Sequence, residues 1–583
     1  MEGLGQRNDH DISPGAAHGF LTPGRLVALA LIIAPAVAQA QTSPLAARYD
    51  HEQVRHDALH YDVWLRLADS GTRFEAAVTT RWRLTSAQPI LIDLDSAYTI
   101  RSLTLSGRPA RYDRRGDVIA VSLPAGTRGE VDTRIAYDGS PPPFRPSGKS
   151  GFRPSDDDGL VQRGSGPTRR IFADNWPDRA RRWLASQDHP SDKATVSWTI
   201  DAPADLTVVA NGTRIGVDTL PGNLRRWQFA MDDPIPVYTM VVGAARLAVT
   251  PLAPACQVRC VPISVVTYPA DSAWAVDGPF RRANEIVDFF SRLIAPFPYP
   301  ELRHVETSTI FGGMENATVI FYDERAYRSH RLGEGTVAHE TAHQWFGDAA
   351  TEGDWHHLWL SEGFATYGAA LWNEHLGGDS ALRVTMKANR ETVLESPASE
   401  RPILDPQATD LLGLLNSNNY PKGAWVLHSL RGMMGDSAFF LGLRTYYHAH
   451  EHGNALSSDF AAVMSQAAGV DLDWYFRQAL TQPGYPILEV SSRLIGGHAE
   501  VTLRQVQKPA WGLFRLPTLT IRVAGRTIAL PVMQATARTV FHWEGPDPPV
   551  VEVDPDGWWL LDVRRADEPS GARANPGPGS ERP

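Results

Sequence analysis

Cysteine is scarce in this sequence: Cys256 and Cys260 are the two in 583 residues. A disulfide between them closes a very short loop and acts as a local clip, not a staple between distant parts of the chain. As metal ligands the pair lacks a nearby histidine or further cysteine to complete a site. A surplus of positive charge is also missing. The formal net charge is −10 and no basic face stands out, which argues against a nucleic-acid partner. Beyond residue 40 no apolar run is long enough to span a bilayer, so no stable membrane span is expected. No segment repeats. The 43% hydrophobic and 21% charged contents are ordinary for globular proteins, and the length leaves room for three or four domains. The 17 tryptophans are many. Trp345, Trp355 and Trp359 fall near the chemistry-bearing motifs below, mostly as core with some available to line a pocket.

The first forty residues read as an export signal. Arg25 precedes the apolar core Leu26 to Ala34, and Ala38-Gln39-Ala40 supplies small residues for cleavage before Gln41. That core is too short for a comfortable membrane anchor, and no cysteine follows it to carry a lipid. The stretch ahead of Arg25 is unusually long and acidic (Glu2, Asp9, Asp11). The expectation is an exported protein, periplasmic or extracellular, where a disulfide persists.

His339-Glu340-Thr341-Ala342-His343 carries the most chemistry. Positions i and i+4 of a helix lie one above the other, so His339 and His343 can face one metal. Glu362 follows after eighteen intervening residues, in an apolar-rich segment where a carboxylate is costly unless paired or metal-bound. Three protein ligands and one open position suit catalytic zinc, one per chain. Glu340, about 100° around the helix from His339, can reach the fourth site without occupying the metal.

Two further segments bear on the same site. Phe311-Gly312-Gly313-Met314-Glu315-Asn316 precedes a strand-like run, Ala317 to Tyr322. The glycines let another backbone approach, so Gly312, Gly313 and Met314 form an edge to which a peptide can add, its amino terminus meeting Glu315. A plain turn before a half-exposed strand fits these residues equally well. In Asn419-Tyr420-Pro421-Lys422-Gly423, Tyr420 is a candidate donor to an oxyanion.

Taken together, these segments resemble the gluzincin aminopeptidases of peptidase family M1, which include aminopeptidase N and leukotriene hydrolase. G-x-M-E-N matches Gly312 to Asn316, H-E-x-x-H with its distal glutamate matches His339 to Glu362, and the tyrosine ahead of x-K-G matches Tyr420 to Gly423. The resemblance covers about residues 45 to 565 and is strongest between 300 and 430. It implies a multidomain α+β protein. An export signal over 1–40 comes first, then an N-terminal β-sandwich (saddle) domain over 41–265. A thermolysin-like zinc domain over 266–483, a small C-terminal β-sandwich over 484–565 and a disordered tail over 566–583 follow. Many members carry a large helical domain at the end of the chain, and its lack here implies a more open site.

The implied activity is hydrolysis of peptides with a free N-terminus. His339, His343 and Glu362 hold zinc, Glu340 is the general base, Tyr420 helps hold the oxyanion and Glu315 binds the α-ammonium. The rivals are a thermolysin-like endopeptidase, a lipid epoxide hydrolase and an inactive scaffold; the last usually lacks a ligand or the base, and none is missing here. Members also place a glutamine from the N-terminal domain near the amine. In Asp174 to Pro190 no glutamine is assignable, with Asn175 and Gln187 as candidates. His356 and His357 are expected to pack or face water.

Pattern sets the remaining expectations. Alternation at Tyr61, Val63, Leu65 and Leu67, and at Ile90, Ile92 and Leu94, predicts strands, as does the run Val237 to Val242. Ser140 to Ser165 predicts a loop, and Ala273 to Leu293 a helix. Residues 330–480 are mainly helical with glycine punctuation, and strands return after Pro483.

Overall fold

The computed structural model describes residues 56–142, 159–408 and 410–566. The export signal, the tail from residue 567 and most of the Ser140 to Ser165 loop lie outside them.

Alternating burial builds the first region. Along Asp57–Leu67 the side chains of Tyr61, Val63, Leu65 and Leu67 are buried while Asp62 and Arg66 face out, the period of a one-sided strand. This strand sits inside an eight-stranded sheet between Lys193–Pro203 and Phe74–Arg83. It runs parallel to the former and antiparallel to the latter. A four-stranded sheet (Thr207–Ala210, Val242–Ala245, Arg170–Asp174, Gly159–Arg163) and a three-stranded one containing Ile90–Asp93 complete the region. Gly159–Arg163 corrects the loop expectation at its end, because those residues pair with Arg170–Asp174.

The run from Val237 to Val242 is not one strand. Leu224–Pro236 ends at a proline, which cannot donate to a ladder, and Val237–Thr239 forms a buried 3-10 turn. Asn211 satisfies this turn in place of a neighbouring strand. Its Nδ2 donates to the Thr239 carbonyl at 2.8 Å and its Oδ1 accepts from Val241 N–H at 2.6 Å.

The central region opens on a five-stranded sheet in the order Ala248–Pro251, Ile263–Thr267, Leu302–Thr307, Val319–Asp323, Gly313–Met314. Its three inner strands are parallel, and all their residues but Ser264 are buried. The two-residue strand Gly313–Met314 is the edge. Helical spacing over 273–293 resolves into two helices, Ser272–Asp277 and Ala283–Leu293, since Gly278 and Pro279 interrupt the ladder. The disulfide joins Cys256 and Cys260.

Next comes the helix Glu334–His343. Glu334 in its first turn complements the helix dipole and holds Arg282 and the Trp372 indole. The long helix Trp359–Glu395 breaks at Gly378, where φ is 67° and ψ −167°. Glycine tolerates that backbone at no steric cost. Beyond the break the chain doubles back, as Asn373 donates to the Thr385 hydroxyl at 3.1 Å. Among the described residues no helix is long and apolar enough to cross a membrane.

The chain ends in a four-stranded sheet around Ile487–Ile495 and His498–Gln505 and a three-stranded sheet around Thr520–Val523. Val393 joins Tyr485, Ile487, Trp511 and Phe514 in one apolar cluster, which fastens the helices to these sheets. The three-part α+β organisation expected from the sequence is the one observed.

Buried polar contacts tie the first region to the central one. Asn211 also donates to the Ala317 carbonyl at 2.7 Å, directly after the Gly312 to Asn316 segment. Arg303 donates to the carbonyls of Ala210 and Gly212, both at 2.8 Å. Lys193 donates to those of Asp348 and Ala349 at 2.9 and 2.7 Å. Replacing Asn211 with alanine leaves two carbonyls and one N–H buried without partners, at about 1–3 kcal/mol each. Asn211→Ala is therefore expected to lower the thermal midpoint by several degrees in a calorimetric scan; an unchanged midpoint contradicts this account of the seam.

Candidate metal centre

His339 and His343 project from one face of Glu334–His343, and Glu362 enters from the first turn of Trp359–Glu395. Their donor atoms converge. His339 Nε2 and His343 Nε2 are 3.1 Å apart, and each lies 3.3 Å from Glu362 Oε2. Tetrahedral bonds of about 2.0–2.1 Å to nitrogen and oxygen place ligand atoms about 3.3 Å from one another. The spacing is that of three ligands around one small cation. The donor chemistry agrees, two imidazoles and a carboxylate being a catalytic zinc set. Glu362 is almost fully buried, and burial of a carboxylate calls for a positive partner.

The imidazoles are oriented from behind. His343 Nδ1 lies 3.1 Å from the Phe346 carbonyl and 3.0 Å from the Ser361 hydroxyl. Assigning the ring proton to Nδ1, where the carbonyl accepts it, leaves the Nε2 lone pair facing Glu362. Burial depresses the His339 pKa. This favours the neutral form that a metal requires.

Tyr420 sits on a π-helical turn, Asn418–Lys422. Its hydroxyl donates to Glu362 Oε1 at 2.8 Å, the oxygen not facing the histidines. Its ring stacks on His339 at 6.0 Å between centroids. This reach depends on two glycines. A Cβ built on Gly363 would lie 2.9 Å from Gly423 backbone atoms, so the helices carrying Glu362 and Tyr420 touch backbone to backbone.

Glu340 and Glu315 complete the pocket. Carboxylate oxygens of both lie within 4.8 Å of each other and of a His343 nitrogen. Burial pushes the Glu340 carboxyl well above its usual range, and raises Glu315 too. Gln344, the residue after the second histidine, stitches the segments together. It donates to the Glu315 carbonyl at 2.8 Å and accepts from Thr318 N–H at 2.9 Å.

The cleft over these groups has a volume of ≈ 440 Å³, and Gly312, Gly313 and Met314 line it. All nine residues expected at the site are thus brought together. The tryptophans flagged from sequence are not: Trp345, Trp355 and Trp359 are core. Trp176 lines the cleft instead, edge-on to Phe311 at 6.0 Å.

Neither candidate for the missing glutamine reaches the site. Asn175 bonds the Met240 carbonyl and the Trp183 indole. Gln187 bonds the His56 carbonyl. The same segment contributes Asp174, which accepts from Ile310 N–H and the Thr309 hydroxyl, both at 3.2 Å, and so anchors the loop before Gly312. Tyr238, on the 3-10 turn read from sequence as strand, abuts Glu315. His357 bonds Ser457, and His356 bonds Asp354.

Comparison with known proteins agrees with this geometry. The Peptidase M1 N-terminal domain model matches residues 57–239 and the Peptidase family M1 domain model matches 280–478. The chain belongs to peptidase family M1. Aminopeptidase N of Streptomyces lividans is 30% identical over 355 residues, 56% of this chain and 40% of that protein. Aminopeptidase M1-C of Oryza sativa subsp. japonica is 27% identical over 349 residues, 56% of this chain and 38% of that protein. The chain thus spans about two fifths of the length of these relatives. The M1 zinc metallopeptidase structure from Deinococcus radiodurans aligns with TM-score 0.65 at 23% identity, over 74% of this chain and 94% of that one. Legionella pneumophila aminopeptidase A aligns with TM-score 0.73 at 18% identity, over 88% and 60%. At these identities the structures establish the shared fold.

Two substitutions separate ligands from scaffold. His343→Ala is expected to bind less than about a tenth of the metal held by the parent protein, read by elemental analysis. Gly423→Ala is expected to keep the metal but lose about 1–3 kcal/mol of stability through overpacking, read as a fall in melting temperature. Metal retained by the first, or no thermal effect in the second, contradicts the arrangement described.

Proposed function

We propose that this chain is a zinc-dependent aminopeptidase that releases N-terminal residues from peptides with a free α-amine. The observation that carries the reading is the position of Glu315, a buried carboxylate whose oxygen falls within 4.8 Å of Glu340 and His343 ligand atoms. An acid so close to the metal ligands fixes an ammonium group one residue from the bond being cut. An endopeptidase has no use for it.

His339, His343 and Glu362 hold the zinc, whose bound chemistry is Lewis acidity toward a carbonyl and a lowered pKa for water. Glu340 takes a proton from the attacking water and passes it to the leaving amine. Its buried, raised carboxyl suits a group that both accepts and returns a proton. Tyr420 remains protonated, since burial and the facing Glu362 carboxylate push its pKa far up, and so can donate to the oxyanion. Glu315 anchors the substrate ammonium, and the Gly313–Met314 edge offers backbone groups to the peptide. Export to the periplasm or the exterior fits the N-terminal sequence and the local disulfide. Sequencing of the secreted protein is expected to begin at Gln41.

A panel of amino-acid fluorogenic amides with N-acetylated controls tests the activity. Free-amine substrates are expected to be cleaved, blocked ones not, and a chelator to abolish turnover until zinc is returned. Glu340→Gln is expected to keep zinc and lose about 10²–10⁴ in kcat. Tyr420→Phe is expected to lose about 10²-fold in kcat with little change in KM. Glu315→Ala is expected chiefly to raise KM for free-amine substrates. Equal cleavage of blocked and free peptides by the parent protein refutes the exopeptidase assignment.

A further inference from the structure

The cleft continues well past the metal ligands, and the helix registers show in which direction. Glu334–His343 and the first half of Trp359–Glu395 run antiparallel. His343 meets Ser361, Ala342 packs against Gly368, and Glu334 accepts from Trp372. Gln344 holds Glu315 at the C-terminal end of the ligand helix. Thr336 lines the cleft at the opposite end. A peptide whose amine rests on Glu315 therefore extends past the histidines toward Thr336.

The doubled-back helix closes that far end. Asn373 contacts Thr385, so antiparallel register sets Asn389 beside Ala369, and Ala369, Thr385 and Asn389 all line the cleft. From Glu362 to Ala369 the helix rises about 10 Å, which an extended peptide covers in about three residues. The Thr385 hydroxyl is already engaged, donating to the Ala381 carbonyl at 3.0 Å. Asn389 differs: its carboxamide makes one long contact, Nδ2 to the Met386 sulfur at 3.9 Å. A carboxamide offers one acceptor and two donors, the complement of a peptide unit. Of the described residues lining the cleft, none is Lys or Arg, so nothing there fixes a terminal carboxylate.

We propose that this end of the cleft is a track for the leaving peptide. Asn389 takes its main chain about three residues beyond the scissile bond, and the preferred substrates are oligopeptides of four residues or more. The inference rests on the aminopeptidase reading, with Glu315 at the amine.

The test compares an aminoacyl p-nitroanilide, a dipeptide and a pentapeptide sharing one N-terminal residue, on the zinc-loaded parent protein and on Asn389→Ala. The parent is expected to cleave the pentapeptide with kcat/KM at least about tenfold above the dipeptide. Asn389→Ala is expected to lose about five- to tenfold on the pentapeptide through KM, with kcat, the dipeptide and the anilide unchanged. Asn389→Ser, which keeps a donor and an acceptor, is expected to recover part of the loss. Amidating the pentapeptide C-terminus is expected to change nothing. Equal kcat/KM for all lengths, a uniform loss across substrates in Asn389→Ala, or a tenfold penalty for amidation overturns the track. Failure of the parent protein to release the N-terminal residue from any of the three substrates instead overturns the aminopeptidase reading beneath it.

Discussion

Three carboxylates buried around two imidazoles are the constraint on which this structure turns. Glu315, Glu340 and Glu362 are largely stripped of solvent, and an isolated buried carboxylate is too costly to persist ionised. The pocket therefore draws positive charge into itself. Burial works against a charged His343, yet the facing carboxylates, Glu362 first, hold it well above the usual imidazole range. A divalent cation bound by two imidazoles and one carboxylate answers the same demand and leaves two acids spare. Under the proposed function, one of these serves the attacking water and the other the substrate's ammonium.

With Tyr420, the scaffold delivers six side chains from four separate segments. A helix supplies both histidines and Glu340, and a second supplies Glu362 one turn after it begins. The edge of a five-stranded sheet supplies Glu315, and a π-helical turn supplies Tyr420. Small contacts set the relative positions: glycine against glycine where Gly363 meets Gly423, and one amide, Gln344, spanning ligand helix and sheet edge. The first region holds the far side of the sheet edge through Asn211 and Asp174. This gives that region a part in placing Glu315, because both contacts fall on residues flanking Gly312 to Asn316.

Local spacing made the metal set legible in the sequence. His339 and His343 share a helix face wherever that helix forms, and a unit of little more than one turn needs no knowledge of the fold. The β-rich start was legible from alternation at Tyr61 to Leu67. What the sequence hid depends on contacts between distant segments. Tyr238 looked like part of a strand because its neighbours are apolar and β-branched; proline at 236 and the Asn211 side chain turn the backbone instead. Trp176 and Asp174 reach the loop before Gly312 from more than a hundred residues away; the family resemblance points to their segment, but no local pattern singles out either residue. Gly278 and Pro279 did mark the break in the helix over 273–293, and the Gly377-Gly378 pair marked the later reversal. Those punctuation signals carried the information that periodicity overlooked.

Anomalous diffraction at the zinc absorption edge, on crystals of the protein purified without chelators, reads the metal site itself. A single strong peak is expected about 2.0–2.1 Å from His339 Nε2, His343 Nε2 and a Glu362 oxygen, with Glu340 close by but not bound. No peak between the two rings, or a Glu362 carboxylate turned away from both, contradicts this arrangement.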